Sequence, residues 1–167
     1  MYRRIDDFLG AWTRESEATE RLLAALSDAS LGRAVAPRLR TLARVAWHIV
    51  QTIPEMMART GLVVEGVDEH APPPAEAAAI RAAYHAAASS LYEKVKASWS
   101  DETLVLEDDM YGSKWMRGLT LHSLITHQAH HRGQMTVLMR QAGLKVSGVY
   151  GPAMEEWASM GMSPPDV

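Results

Sequence analysis

Four segments of the chain repeat apolar residues at the three- and four-residue spacing of an α-helix, and this pattern restricts the fold more than any other feature. The segments cover about residues 3–28, 41–60, 75–98 and 119–142. At ~100° per residue, the apolar positions of each segment fall on one face, which has to be buried against other helices. Four long helices with intervening loops predict an all-α four-helix bundle, formed by a single domain over residues 1–167 with a tail at 144–167.

Glycine and proline residues mark where these helices begin and end. Gly61 and Gly143 follow the second and fourth segments and are typical C-terminal stops. The proline run at 72–74 is incompatible with a helix and predicts a linker before the third helix. Residues 100–118 lack helical periodicity, and their apolar spacing predicts a short extended or hairpin segment before the fourth helix.

The composition is that of a globular protein and argues against several classes of function. Apolar residues make up 47% of the 167 residues and charged residues 22%, which is sufficient for one hydrophobic core. A formal net charge of -3 gives no electrostatic basis for binding nucleic acid or an anionic membrane. No apolar run approaches the ~20 residues that cross a bilayer, and the N-terminus turns acidic before any apolar stretch, unlike a secretory signal. We therefore expect a soluble, cytoplasmic protein.

The absence of cysteine limits the chemistry that the chain supports by itself. With no cysteine there are no disulfides, no thiolate metal ligands and no protein thiol that could act as a nucleophile. If the protein takes part in sulfur chemistry, the sulfur has to arrive with a cosubstrate.

Three of the seven histidines lie within residues 127–131 of the fourth helix. His127 and His131 are four residues apart, so they stack one turn above the other, ~40° apart around the helix axis. This spacing lets one helix offer two imidazoles to a single metal ion. Both lie at the border of the apolar face, whereas His130 and His122 point toward solvent. We therefore select His127 and His131 as metal ligands and reject His130.

A third ligand has to come from another helix, and His48 is the candidate. It lies at the edge of the buried face of the second helix, to one side of Val45 and Ile49. A single histidine in such a position is more often a hydrogen-bonded core residue than a ligand, but the pair on the fourth helix favours the metal interpretation. His70 precedes the proline linker, and His85 faces away from the buried side of the third helix.

Three stretches of the sequence carry motifs that occur together in one known family. The second helix contains LARVAWHI at residues 42–49, the fourth contains HQAHHRGQ at residues 127–134, and the tail contains VYGP at residues 149–152. Together they resemble the DinB/YfiT-like metalloprotein family, which has a histidine in its second helix and a His-x-x-x-His-Arg-Gly-Gln signature in its fourth. The signature is the specific part, and the resemblance follows most of the chain in order.

The resemblance implies a topology, a metal centre and an assembly. It implies an up-down-down-up bundle, a homodimer as in many members, and one divalent metal ion held by His48, His127 and His131. The family includes thiol-dependent S-transferases and a thiol-dependent maleylpyruvate isomerase. Its name records induction by DNA damage, which associates this chain with a stress response.

Our leading hypothesis is a metal-dependent enzyme that activates a low-molecular-weight thiol, in the manner of an S-transferase or isomerase. Three protein ligands leave a coordination position open for a small-molecule substrate or for water, so a water nucleophile is a variant of the same hypothesis. The ion would be zinc, nickel, iron or manganese, among which the sequence does not choose. The alternative is a non-enzymatic metal- or ligand-binding stress-response protein, and a third interpretation is a plain bundle that binds metal adventitiously.

Four residues near the histidines have roles that the sequence leaves open. Gln134 lies beneath the histidines and is a candidate to hydrogen-bond an imidazole and fix its tautomer. Arg132 and Gly133 are interpreted as packing residues, with Arg132 pairing with an acidic group and Gly133 admitting a neighbouring segment. Glu55, two turns after His48, is either a general base, an additional ligand or, as the favoured interpretation, a solvated surface residue.

The first helix carries two hydroxyl residues in the middle of its apolar face, Ser16 and Thr19. The favoured interpretation is that they are small residues at a tight helix contact. A part in substrate binding is left open.

Overall fold

Four long helices account for most of the computed structural model, which describes residues 1–166. They are α1 (Ile5–Ala24), α2 (Leu42–Ala58), α3 (Ala77–Ser98) and α4 (Arg117–Gln141), with an antiparallel hairpin, β1 (Glu107–Met110) and β2 (Ser113–Met116), immediately before α4. The predicted helix ends agree with these bounds to within four residues, and the predicted hairpin is present. Val167, the last residue of the predicted tail, lies outside the described residues.

The largest difference in helix bounds is at the end of α1, which stops at Ala24 rather than near residue 28. The Ser27 backbone N–H donates to Ser30 Oγ at 3.1 Å there, and the Ser30 hydroxyl donates to the Ser27 carbonyl oxygen at 2.6 Å. This local arrangement starts a new turn at Asp28 and therefore ends the first helix earlier than the apolar spacing indicates.

The four helices surround one hydrophobic core. α1 packs against α3 and α4, and α2 packs against the same two helices, so α1 and α2 lie on opposite corners of the bundle. This arrangement confirms the predicted all-α four-helix bundle of up-down-down-up topology. Within residues 1–166, no helix combines the length and the apolar character needed to cross a membrane.

The connection between α2 and α3 is long, but side chains of α2 hold it in place. Trp47 Nε1 donates a hydrogen bond of 2.9 Å to the carbonyl oxygen of Ala71. Gln51, which is only 3% exposed, donates from Nε2 to the carbonyl oxygens of Asp68, Glu69 and Ala71. The segment at 68–71 is therefore fixed beside one face of α2, and it forms a wall of the site described below.

A buried arginine joins α4 to α1 and to the C-terminal tail. Arg132 is 1% exposed, and its Nη1 donates to the Glu15 carbonyl oxygen at 3.0 Å and to Thr19 Oγ1 at 2.9 Å. Its Nη2 pairs with the Glu15 carboxylate and donates to the Tyr150 hydroxyl, which in turn donates to Glu15. The predicted pairing of Arg132 with an acidic group is confirmed.

Three further expectations have mixed outcomes. Thr19 is fully buried at the contact of α1 with α4, as expected for a residue at a tight helix contact. Ser16 is only half-buried and bonds the carbonyl oxygen of Thr13 in its own helix. The interpretation of Gly133 is wrong, because a Cβ added there would meet nothing within 4 Å; the residue faces outward.

Replacing Arg132 with Met is expected to destabilise the fold by about 3 kcal/mol, because the Glu15 carboxylate loses its buried partner. The matched control is Arg140→Met, which removes the ion pair with Glu155 where the arginine side chain is 43% exposed. That change should cost less than about 1 kcal/mol. Urea unfolding followed by circular dichroism measures both values, and equal losses would contradict the assigned role of Arg132.

Candidate metal centre

The three predicted histidines meet where α2 packs against α4. His48 lies in the first half of α2, and His127 and His131 stand one turn apart on α4. One ring nitrogen from each lies within 4.8 Å of the other two, and the ring centroids are 4.4 to 5.0 Å apart. The structure therefore brings together the residues that the sequence selected from two separate helices.

The spacing of the histidine nitrogens fits ligands of one ion. His127 Nε2 and His131 Nε2 are 3.1 Å apart. Two nitrogens that each lie about 2.0–2.1 Å from a common ion, at an angle near 90–110°, are separated by about 2.9–3.4 Å. Imidazole nitrogens are suitable donors for zinc and the other first-row divalent ions. The donor set and its geometry both fit a divalent metal ion.

Gln134 fixes the tautomer of His131. Its Oε1 lies 2.7 Å from His131 Nδ1, and an amide oxygen only accepts, so the imidazole proton resides on Nδ1. The lone pair of His131 Nε2 is then free to face the other two histidines. The Gln134 amide nitrogen donates to His130 Nε2 at 3.1 Å. The expected hydrogen bond between Gln134 and an imidazole is present, and His130 contacts the amide of Gln134 from the exposed side of the helix.

Burial keeps all three histidines neutral. Desolvation, followed by repulsion from the neighbouring imidazoles, lowers the pKa of His48 to about 4 and that of His127 to about 4. Desolvation also lowers the pKa of His131. The positive charge of Arg40 acts in the same direction on each of them. At neutral pH the three rings therefore present lone pairs, which is the state that binds a metal ion.

Two buried polar residues support the site from behind. Tyr84 of α3 donates from its hydroxyl to Gln128 Oε1 at 3.0 Å, and Gln128 Nε2 lies 3.4 Å from the carbonyl oxygen of Ile49. Gln128 directly follows His127, and Ile49 directly follows His48. This pair therefore ties the two histidine-bearing helices to each other and to α3.

A cavity of about 500 Å³ opens beside the histidines. His48 and His127 line it, with Arg40 and Arg44 near the N-terminal end of α2, and Glu55 and Tyr111 on the side of the hairpin. Its volume is that of a small-molecule site. Sequence patterns indicated no role for Arg40, Arg44 or Tyr111, although Arg44 stands one helical turn before His48, a spacing that places both on one face.

Glu55 differs from the favoured expectation of a solvated surface residue. Its side chain is 16% exposed, accepts 2.7 Å hydrogen bonds from Arg59 Nε and from the Tyr111 hydroxyl, and lines the cavity. It is not part of the group that could hold an ion, which within residues 1–166 consists of the three histidines. The hairpin thus holds Glu55 at the cavity, a contact between residues 55 and 111 that local sequence patterns do not reveal.

The remaining histidines lie outside this group. His122 and His130 are exposed on α4. The side chains of His70 and His85 are 86% and 67% exposed, and each pairs with a nearby glutamate. Their exclusion as ligands agrees with their positions on the surface.

The metal-free protein is expected to lose stability as the pH is lowered from about 6.5 to about 4. The pKa values of His48 and His127 are lower in the folded state than the ordinary 6.5, so the unfolded chain binds more protons in this window and is favoured. Urea unfolding in the presence of a chelator at pH 7 and pH 5 measures the loss. In a His48→Gln/His127→Gln variant the loss should be smaller, and an unchanged pH dependence would contradict the lowered pKa values.

The fold and the site together define a class: four-helix-bundle proteins with a three-histidine group able to hold a metal ion. The chain belongs to the DinB family, whose sequence model matches residues 1–166. It is 43% identical over 165 residues to the uncharacterized protein YrdA of Bacillus subtilis (strain 168), a match that covers 99% of each protein.

Solved structures of DinB-like proteins share the architecture. A DinB-like protein from Bacillus cereus ATCC 10987 is 45% identical and superposes with a TM-score of 0.87, covering 90% of this chain and 100% of the other. The DinB-like protein YjoA of Bacillus subtilis is only 14% identical but has a TM-score of 0.69, covering 88% and 99% of the two chains, and shows the same fold.

Proposed function

We propose that the protein holds one divalent metal ion with His48, His127 and His131, and that it uses this centre to activate a low-molecular-weight thiol for attack on an electrophile. The observation that carries the proposal is the convergence of three neutral imidazoles beside a cavity of small-molecule size. Zinc, nickel and iron accept imidazole ligands readily and manganese prefers oxygen ligands, so the donor set favours the first three metals without choosing among them.

The site has the features of an open centre. Three protein ligands leave coordination positions for outside molecules, which distinguishes catalytic from closed structural sites. A bound divalent ion would lower the pKa of a coordinated thiol or water and so supply a nucleophile at neutral pH. Gln134 keeps the His131 lone pair directed inward, and the buried Tyr84–Gln128 pair keeps α2 and α4 in register.

The family resemblance makes a thiol the favoured nucleophile, and this thiol would have to come from outside the chain. With no cysteine in the sequence, sulfur chemistry needs an external thiol. The family resemblance, which includes thiol-dependent transferases and an isomerase, supports the same class of reaction. In the proposed step the thiol loses its proton to Glu55, and the sulfur forms a bond to the electrophilic carbon while the bond from that carbon to the leaving group breaks. The leaving group departs with the bonding electron pair and takes up the proton from Glu55.

A water nucleophile is a second candidate, in which Glu55 would be the proton acceptor just as in the thiol reaction. The carboxylate is held at the cavity by Arg59 and Tyr111, and its charge is close enough to raise the pKa of His127 against the larger effects that lower it. The same carboxylate would accept a proton from water in a hydrolytic reaction. A non-enzymatic binding protein is the alternative that shows neither reaction. A small-molecule partner, the homodimer, the cytoplasmic location and the stress response stay predictions.

Single alanine substitutions should separate ligands from neighbours. His48→Ala, His127→Ala and His131→Ala are each expected to reduce bound metal from about one ion per chain to a trace, because two neutral imidazoles hold an ion weakly. His130→Ala is the matched control on the same helix and should retain most of the metal. Elemental analysis of untagged protein after dialysis provides the measurement, and equal retention by all four variants would overturn the assignment.

Metal-loaded protein should consume small thiols in the presence of an electrophile. The assay follows loss of free thiol for a panel of thiols and electrophiles, with chelated protein and His131→Ala as inactive references and His130→Ala as the active one. Metal-dependent thiol consumption is the expected result. Protein that keeps its metal, yet neither consumes thiol nor hydrolyses an ester panel, would favour the non-enzymatic alternative.

A further inference from the structure

The cavity beside the histidines contains an arginine held in place by a buried residue. Arg44 is half-buried, lies one helical turn before His48, and donates from Nη1 to Gln51 Oε1 at 3.1 Å. Gln51 is 3% exposed, and its amide nitrogen is occupied by the backbone carbonyls of the 68–71 segment. The position of the Arg44 guanidinium is therefore built into the fold.

A second arginine stands at the same end of the cavity. Arg40 lines it from the segment before α2, with an exposed side chain. Within residues 1–166, neither Arg40 nor Arg44 forms a salt bridge with a carboxylate. The two arginines therefore face the cavity, and no carboxylate of residues 1–166 is in contact with either of them.

The acidic residues that line the cavity have other partners. Glu55 bonds Arg59 and Tyr111 at the hairpin side. The Glu69 side chain is 54% exposed and lies 3.4 Å from His70 Nε2, which carries a charge only when it is protonated. The cavity is therefore polarised, with its arginines near the N-terminal end of α2 and Glu55 two turns beyond His48. The three neutral imidazoles between them add no negative charge to balance the arginines.

We propose that the molecule received by this site carries a carboxylate or a similar planar anion, bound by Arg44 together with Arg40. The inference rests on the proposed function and adds its substrate class. A guanidinium offers two parallel N–H donors that match the two oxygens of a carboxylate, and Gln51 has already fixed the arginine, so little freedom is lost on binding. A divalent ion on three neutral imidazoles would add uncompensated positive charge and favour an anion further.

The test compares two thiols of the same shape, 3-mercaptopropionate and its neutral amide, 3-mercaptopropionamide. The protein is loaded with Co²⁺, and the change in its absorption spectrum on titration gives each affinity. The wild type should bind the carboxylate more tightly than the amide by about tenfold or more, the effect of one charge-assisted contact. Arg40→Gln/Arg44→Gln should abolish this preference and leave the affinity for the amide and the cobalt content unchanged.

Two controls make the result specific. Arg38→Gln removes the same charge from the segment before α2 at a position that does not line the cavity, and it should keep the preference. Arg44→Lys keeps the charge but loses the planar fork, so an intermediate preference is expected. A wild type without preference, or a double variant that keeps it, overturns the inference.

Failure of the anion site can be told apart from failure of the proposed metal site. If the protein takes up no cobalt, the metal proposal fails, and calorimetric titration of the metal-free protein with succinate then tests the arginines alone. Binding that disappears in Arg40→Gln/Arg44→Gln but persists in Arg38→Gln supports the anion site. Absent or unchanged binding contradicts it.

Discussion

α2 packs against α4, and this contact determines where the histidines and the cavity lie. The border of the apolar face of α2 lies against the border of the apolar face of α4, and both helices carry histidines there. His48 comes within ring contact of His127 and His131 only because the residues beside them are fully buried and leave the two helices one packing arrangement. The cavity and the open side of the histidine group follow from this arrangement.

Three imidazole rings that lie together in a half-buried position are unfavourable if they are charged. Several features of the chain keep them neutral. Burial and mutual repulsion lower the histidine pKa values, so the rings lie side by side without charge at neutral pH. The Gln134 amide oxygen accepts a hydrogen bond from His131 Nδ1, so the proton of this ring lies on Nδ1. Arg132, the residue after His131, joins α4 to Glu15 of α1. This contact fixes α4 on the side of the helix that faces away from the histidines.

Local periodicity predicted the four helices and the His127/His131 pair, whereas the topology and the choice of His48 also drew on the resemblance to a known family. A spacing of four residues places His127 and His131 on one face of the helix. The same helical periodicity correctly predicts that His130 faces solvent. What the sequence could not supply are contacts between distant residues. The Glu55–Tyr111 bond joins α2 to a hairpin turn, and the Gln51 amide positions Arg44 through backbone carbonyls of the following loop. The prediction for Gly133 is wrong because the sequence around a helical glycine does not indicate whether another segment packs against it.

X-ray absorption at the metal edge of the purified protein would show whether the three histidines hold an exchangeable metal ion. We expect about one ion per chain with three imidazole nitrogens at about 2.0–2.1 Å, and a remaining ligand that changes to sulfur when a small thiol is added. An ion with fewer than three imidazoles, or a coordination sphere that no added ligand alters, would contradict it.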